Sequence, residues 1–227
     1  MTQADSFGVI RATVEAEIAA PGILTISSAR PGDGKTGVSV GLARSLASSG
    51  YRTLLIDAGT DEGETLSAKL GVQAPPPVPV ATAAEHLGNV VRPAFEGCDI
   101  LTIRGGETGA SAVAIGELFA AVRSSYQYAI VDARTIGNGG ATFARCADGV
   151  VLAVREGRAA EGADREAVAV LERIRARFLG VVATTGAPAT KHRPDRSTDE
   201  ASVTQTVRNE GDPIGRVVAR LRDLFSA

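Results

Sequence analysis

Short apolar runs typical of buried strands recur along the chain, and segments with helical spacing separate them. The first helical segment, from about residue 6 to 19, carries its apolar residues at Phe7, Ile10, Val14 and Ile18. Predicted strands lie near residues 22–27, 52–57, 99–103, 127–132, 148–154 and 179–184, and predicted helices near residues 35–49, 112–124 and 161–177. This alternation predicts an α/β fold with a doubly wound, mainly parallel sheet and helices on both faces.

Two segments interrupt the alternation. Residues 73–80 contain three consecutive prolines, which favour a stiff extended connector, and residues 187–203 are polar and are expected to form a mobile loop. Helical spacing returns near the end of the chain and predicts a helix over residues 213–225. A length of 227 residues suits one domain with a substantial core, so we expect residues 1–227 to form a single domain.

Charge and composition exclude several classes of partner. The 24 basic and 26 acidic residues leave a net charge of −2, so we expect no nucleic-acid binding. No apolar stretch approaches the length of about 18 residues that spans a membrane, and the first residues are polar. Direct membrane insertion and a secretory leader are therefore not expected. Cys98 and Cys146 show no metal-ligand spacing, which favours a reduced, cytoplasmic protein.

Residues 27–36, which read SSARPGDGKT, carry the strongest chemical signal. They follow the apolar run Ile23–Ile26 and precede a helical run, and a glycine-containing loop between a strand and a helix presents backbone N–H groups to a phosphate. Lys35 then reaches the β- and γ-phosphates, and the Thr36 hydroxyl ligates Mg²⁺. Ala29 stands where the full phosphate-loop pattern has glycine. The alternative interpretation is an ordinary turn with an exposed lysine.

Two carboxylates support the phosphate-loop interpretation. Asp57 and Asp132 each end a predicted buried strand, and the carboxyl ends of parallel strands converge on one ligand crevice. One carboxylate would position or deprotonate a nucleophile, and the other would bind Mg²⁺ directly or through water. A single aspartate at a strand end is more often a turn or cap residue. Together with the loop, the pair predicts catalytic roles for Lys35, Asp57 and Asp132.

Four segments resemble the cytoplasmic kinase domains of bacterial tyrosine kinases that regulate capsule and exopolysaccharide synthesis. They are residues 27–36, 54–58, 128–132 and 147–155. These kinases belong to the deviant-Walker P-loop NTPases, together with the plasmid-partitioning and division-site ATPases. The resemblance implies ATP or ADP with Mg²⁺ as cofactors. It also implies a membrane polysaccharide co-polymerase-like partner that holds the protein at the inner membrane.

The resemblance also assigns roles to individual residues. The predicted nucleotide contacts are Arg30, Gly32, Asp33, Gly34, Lys35, Thr36, Gly37 and Thr184, and the predicted metal ligands are Thr36 and Asp132. Thr184 stands where relatives often have an asparagine that reads adenine. Arg30 has the spacing of a signature lysine that reaches the other subunit's phosphate in the partitioning ATPases. Its alternative interpretation is an arginine that faces solvent.

Several positions depart from the kinase pattern. Gly59 replaces the second acid of the usual Asp-x-Asp strand end, and residues 133–135 replace a usual Thr-Pro-Pro. The oligomer-forming Glu-x-x-Arg-x-x-Arg of many relatives is reduced to Arg11, which leaves a homo-oligomer an open alternative. The tail from residue 191 onward contains no tyrosine, and the three tyrosines lie within or beside predicted strands. We therefore expect autophosphorylation to be absent or weak.

Three functions remain as alternatives. The first is an active ATP-dependent kinase-like enzyme or ATPase that works with a polysaccharide-assembly protein. The second is a catalytically weak nucleotide-binding module that acts as a regulator or scaffold, which the altered positions favour. The third is a partitioning-type ATPase, against which the near-neutral charge argues.

Overall fold

The computed structural model describes residues 3–59, 66–72, 77–104, 111–156 and 162–184. The described helices are α1 (Gln3–Glu17), α2 (Lys35–Ser48), α3 (Leu66–Lys69), α4 (Val80–Ala83), α5 (Leu87–Val90), α6 (Ala112–Arg123), α7 (Gly140–Cys146) and α8 (Gly162–Arg173). The described strands are β1 (Gly22–Ser28), β2 (Thr53–Asp57), β3 (Val78–Pro79), β4 (Arg92–Phe95), β5 (Cys98–Arg104), β6 (Tyr128–Asp132), β7 (Gly149–Arg155) and β8 (Phe178–Thr184). A 3₁₀ turn covers Ile136–Asn138.

The strands that the structure describes form one sheet in the order β3-β5-β2-β6-β1-β7-β8. Each neighbouring pair in that order is parallel, and β4 adds an antiparallel pairing to β5 at one margin. The parallel neighbours are joined by crossover connections. β7 and β8 are consecutive strands that pair in parallel, and α8 forms the connection between them. The predicted α/β class with a mainly parallel sheet is confirmed.

Alternate residues of the central strands face opposite sides of the sheet, as the two-residue period of a strand requires. Leu55 and Ile130 belong to a core cluster that contains residues of α1, α2 and α3. Their sequence neighbours Leu54 and Ala129 belong to a second cluster that contains residues of α4, α6 and α7. Both faces of the sheet are therefore covered by helices, which explains why these strands read as continuous apolar runs.

The N-terminal helical pattern corresponds to α1, which packs on α2. Phe7, Val14 and Ile18 are buried, and Ile10 packs partly buried against them. Gly41 lets the two helices approach closely, because the Phe7 ring occupies the place where a side chain at residue 41 would begin. The first predicted helix thus buries the face that its apolar spacing indicates.

Some sequence predictions need correction or lie outside the described residues. The predicted connector 73–80 is structured at its end, where Val78–Pro79 forms β3 and Val80 begins α4, while residues 73–76 are outside the described ranges. The sequence predicted neither β4 nor the short helices α3, α4 and α5. The predicted mobile loop 187–203 and helix 213–225 also lie outside the described residues. Within the described ranges, the structure contains no helix with the length and apolar character needed to cross a membrane.

The strand order determines where the predicted site lies. β6 lies between β1 and β2, and its last residue, Asp132, is in register with Ile26 of β1 and Asp57 of β2. The loop that follows β1 therefore shares one edge of the sheet with both predicted carboxylates. This edge is formed by the carboxyl ends of the parallel strands, where α/β proteins bind their ligands.

Candidate functional site

Residues 29–34, the predicted phosphate loop, join β1 to α2 and turn through two left-handed glycines. Gly32 has a φ of 76° and Gly34 a φ of 84°, a backbone region that residues with a Cβ atom adopt at a cost. Gly34 is the N-cap of α2, a helix of 14 residues, so the loop ends at the positive end of the helix dipole. This local geometry is the kind that gathers backbone N–H groups around an anion.

Lys35 is the first residue of α2 and is 8% exposed. Its positive charge lowers the pKa of Asp132. A lysine buried at a helix N-terminus places its charge in a region that already favours anions. The structure therefore buries Lys35 at the end of the loop and does not leave it at an exposed turn, while its contact with phosphates stays a prediction.

Asp132 is the centre of a hydrogen-bonded group beneath the loop. The Thr36 hydroxyl donates to Asp132 Oδ2 at 2.8 Å, and the Ser39 hydroxyl donates to Asp132 Oδ1 at 3.1 Å. Asp132 is only 2% exposed, and this burial raises the pKa of its carboxyl to about 6, with a further increase from the charge of Asp57. The hydrogen bonds from Thr36 and Ser39 and the charge of Lys35 act in the opposite direction.

Asp57 has a different set of partners. Its Oδ1 accepts a hydrogen bond from the Gly59 backbone N–H at 3.1 Å, and its Oδ2 accepts one from the Leu66 backbone N–H at 2.7 Å. Burial raises the pKa of Asp57, while these two hydrogen bonds and the charge of Lys69 lower it. One carboxylate thus holds the chain on both sides of residues 60–65. Its predicted role in orienting a nucleophile stays a prediction.

Arg30 lies on the loop and reaches toward α8. Its guanidinium is 3.5 Å from Asp164 Oδ2, and its side chain is 19% exposed. The Ser28 hydroxyl donates to the Arg30 carbonyl at 2.6 Å, which fixes the backbone of the loop at this point. The structure therefore places Arg30 against α8 and not toward solvent. Its predicted contact with a second subunit is not tested by a single chain.

Thr184, at the end of β8, contacts the loop itself. Its hydroxyl donates to the Asp33 carbonyl at 2.8 Å, and a Cβ atom on Gly34 would lie 2.9 Å from the same hydroxyl oxygen. Thr184 is 3% exposed. The hydroxyl that the sequence assigned to reading the base thus supports the phosphate loop, and base reading stays a prediction.

The structure adds two residues that the sequence analysis did not single out. Ser39 lies one helical turn after Lys35 and Thr36, on the same face of α2, and that spacing was the available signal. Arg134 lies two residues after Asp132, and its Nε would be 3.3 Å from a Cβ atom placed on Gly59. No sequence pattern brings residues 59 and 134 together, since their proximity follows from the pairing of β2 with β6.

The residues present suit a magnesium–nucleotide complex. The loop and the α2 N-terminus favour an anion, and Lys35 adds a cation beside them. Thr36 and Asp132 offer a hydroxyl and a carboxylate oxygen within 2.8 Å of each other, and oxygen ligands of this kind are those that Mg²⁺ prefers. The predicted metal ligands are therefore adjacent in the fold, although 96 residues separate them in the chain.

Comparison with known proteins agrees with this geometry. The family model described as CobQ/CobB/MinD/ParA nucleotide binding domain matches residues 24–226. The chain is 27% identical over 192 residues to the tyrosine-protein kinase CpsD of Streptococcus agalactiae, covering 78% of this chain and 80% of that protein.

Solved structures show the same fold. The kinase domain of the Escherichia coli tyrosine kinase ETK matches with a TM-score of 0.64 and 20% identity, covering 86% of this chain and 80% of that one. The VpsO kinase domain matches with a TM-score of 0.63 and 25% identity, covering 78% and 92%. Cobyrinic acid a,c-diamide synthase from Mycobacterium smegmatis, solved with ADP and magnesium, matches with a TM-score of 0.60 and 20% identity, covering 71% and 73%.

Proposed function

Because the chain belongs to the CobQ/CobB/MinD/ParA nucleotide-binding domain family, we propose that it binds ATP with Mg²⁺ as a relative of the tyrosine kinases that regulate exopolysaccharide and capsule synthesis. The observation that carries this proposal is the group formed by Thr36, Asp132 and Ser39 directly beneath the phosphate loop. The buried Asp132 carboxylate and the Thr36 hydroxyl beside it supply oxygen ligands for the Mg²⁺ ion that accompanies a nucleoside triphosphate.

Each residue of this site has a separate task in the proposal. The loop N–H groups and Lys35 bind the phosphates, and Thr36 and Asp132 hold the metal ion. Bound Mg²⁺ neutralises charge on the phosphate oxygens. Ser39 holds Asp132 through its hydroxyl. The hydroxyl oxygen also lies 3.0 Å from the Lys35 carbonyl oxygen, so its one hydrogen is shared between the carboxylate and the first turn of α2.

The partner in this proposal is a membrane polysaccharide co-polymerase-like protein that brings the chain to the inner membrane. Its support is the resemblance of residues 27–36, 54–58, 128–132 and 147–155 to the capsule-regulating kinases, together with the match to a tyrosine-protein kinase. In this arrangement the phosphoryl acceptor, if the chain is active, belongs to another protein.

A second candidate is a catalytically weak nucleotide-binding module, and the contacts of Asp57 favour it. Both carboxylate oxygens of Asp57 accept backbone hydrogen bonds, an arrangement that serves structure. Two of the tyrosine hydroxyls are also poorly placed to accept a phosphoryl group. The Tyr126 hydroxyl donates to Asp99 at 2.8 Å, and the Tyr128 hydroxyl donates to the Ile18 carbonyl at 3.1 Å. Both tyrosines are buried.

Calorimetric titration with Mg-ATP tests the proposal. We expect the wild-type chain to bind and Lys35→Met to bind at least about tenfold more weakly, because the variant loses the charge beside the phosphates. Arg92→Met is the matched control, since it removes an exposed cation from β4 at the sheet margin. Equal affinity in wild type and Lys35→Met would reject the phosphate-loop assignment.

Release of phosphate separates the two candidates. An active enzyme releases phosphate, or transfers it to a second protein, in a reaction that Lys35→Met abolishes. A binding module binds Mg-ATP with the same dependence on Lys35 and leaves it intact. The measurement is phosphate release over hours with purified protein, and chelation of Mg²⁺ supplies the blank.

A further inference from the structure

Arg155 is the last residue of β7 and lies at the sheet edge that carries the proposed nucleotide site. β7 pairs with β1 as far as Ala153 and Ser28, so Arg155 extends two residues beyond the end of β1, beside the phosphate loop. β8 still accompanies it there, since Arg155 is in register with Thr184 and the Glu156 backbone N–H donates to the Thr184 carbonyl at 2.8 Å. Pairing with β8 therefore fixes the backbone from which the Arg155 side chain starts.

The side chain of Arg155 starts on the face of the sheet that α2 covers. Successive residues of a strand alternate between the two faces, so Arg155 is on the same face as Val151 and Ala153. Those two residues belong to the core cluster that contains residues of α2. Thr184, the register partner on β8, faces the same way, and its hydroxyl donates to the Asp33 carbonyl of the loop at 2.8 Å. Arg155 thus begins beside a side chain that contacts the phosphate loop.

No hydrogen bond or ion pair within the described residues accounts for a cation at this position. The Nε atom of Arg155 is buried and has no hydrogen-bond partner among the described residues. The ion pairs of that part of the chain belong to other side chains, such as Arg30, which lies on the loop and pairs with Asp164 of α8. A buried N–H group without an acceptor costs free energy, so internal bonding does not explain an arginine at residue 155.

The strand order determines which part of a nucleotide reaches the end of β7. The proposed metal ligands Thr36 and Asp132 lie on the β6 side of the loop, and the β- and γ-phosphates share the metal ion. The terminal phosphate therefore extends toward β6 and β2, and the nucleoside leaves the loop on the opposite side, toward β7 and β8. Neighbouring strands lie about 4.8 Å apart, so β6 and β7, which flank β1, are about 10 Å apart. This separation carries β7 past the phosphates that share the metal.

From this geometry we infer that Arg155 binds the nucleoside half of the nucleotide, with its flat guanidinium packed on the base. The inference rests on the proposed nucleotide-binding function. A guanidinium stacks on aromatic rings through both its plane and its charge, whereas the ammonium group of lysine has no plane. In this arrangement Arg155 contributes affinity for the base, while Thr184 supports the loop.

Titration with Mg-ATP and with magnesium tripolyphosphate, which lacks the nucleoside, tests the inference. We expect Arg155→Ala to bind ATP about 3- to 30-fold more weakly than wild type, and to bind tripolyphosphate within about twofold of wild type. Arg155→Lys keeps the charge without the plane, and we expect it to resemble Arg155→Ala. Lys35→Met should weaken both ligands, because it acts on the phosphates. Arg173→Ala is the control, since it removes an exposed arginine from the last turn of α8.

Each outcome decides the inference. Loss of ATP affinity alone in Arg155→Ala supports it, and retained tripolyphosphate binding shows that the variant is folded. Unchanged ATP affinity overturns it while the proposed function stands. Equal loss of both ligands also overturns it, since the arginine would then act on the phosphates or on the loop.

If tripolyphosphate binds wild type too weakly to measure, Arg155→Lys decides. An affinity for ATP like that of Arg155→Ala, at an unchanged free energy of unfolding, supports the base contact. An affinity like that of wild type overturns it, because charge alone would then suffice. A wild-type chain that binds neither ligand overturns the proposed function and the inference together.

Discussion

Replacing Asp132 with asparagine should stabilise the metal-free protein. Burial raises the pKa of this carboxyl from its ordinary value of 3.8 to about 6, so the folded state holds a charge that it disfavours at neutral pH. At about 1.4 kcal/mol per pKa unit, this difference corresponds to about 3 kcal/mol. Asparagine removes the charge, and the Thr36 and Ser39 hydroxyls can rotate to suit an amide.

The pH dependence has a definite sign. Because the pKa of the folded state lies above that of the unfolded state, the folded protein binds an additional proton between about pH 4 and pH 6. The cost of ionising the buried carboxylate therefore grows over this range and is full above about pH 6. The penalty disappears as the pH falls through about 4. We therefore expect Asp132→Asn to gain about 1–3 kcal/mol over wild type at pH 7.5, and about half of that gain at pH 5.

Urea unfolding in chelator at the two pH values measures this effect. Asp57→Asn is the control, because it makes the same change in a carboxylate whose two partners are the Gly59 and Leu66 backbone N–H groups. A backbone N–H group can only donate a hydrogen bond, so one of these two donors would face the NH₂ group of the asparagine. We expect Asp57→Asn to be about 1–3 kcal/mol less stable than Asp132→Asn at pH 7.5. The reasoning is refuted if Asp132→Asn gains nothing at pH 7.5, or gains equally at both pH values.

Three further predictions concern packing, the loop and phosphorylation. Leu42→Ala removes a fully buried side chain of α2 and should lower the free energy of unfolding by about 2–5 kcal/mol, whereas Val113→Ala, at a position 70% exposed, should change it by less than about 0.5 kcal/mol. Thr184→Val should cost about 1 kcal/mol in urea unfolding and leave the ratio of ATP to GTP affinity unchanged, and a changed ratio would restore its base-reading role. After incubation with Mg-ATP, phosphopeptide mass spectrometry should find none of the three tyrosines phosphorylated to stoichiometry, and stoichiometric phosphate on any of them would contradict this.

The central strands and the phosphate loop could be predicted from sequence because their signals are local. An apolar run of five to seven residues and a Pro-Gly-Asp-Gly-Lys loop each identify themselves within a short window. The strand β4 could not be predicted in this way. It has four residues, contains Pro93 and pairs only at a sheet margin, where a missing N–H is tolerated.

The contacts of individual site residues were less predictable because they join distant parts of the chain. Asp57 and Asp132 gave the same sequence signal, an acid at the end of a buried strand. Asp132 accepts hydrogen bonds from two hydroxyls of α2, whereas Asp57 accepts them from the backbone on both sides of residues 60–65. Thr184 contacts the loop across 151 residues. Only the assembled sheet brings such residues together.

The position of β1 inside the sheet, between two strands that are synthesised later, has a consequence for the nascent chain. The loop residue Thr36 leaves the ribosome 96 residues before its partner Asp132. At about 5–20 residues per second, this interval lasts about 5–20 s. During that time β1 has neither of its neighbours, because β6 and β7 are both made later. Its seven residues, all buried in the finished sheet, then depend on chaperones or on α1 and α2 for protection from other chains.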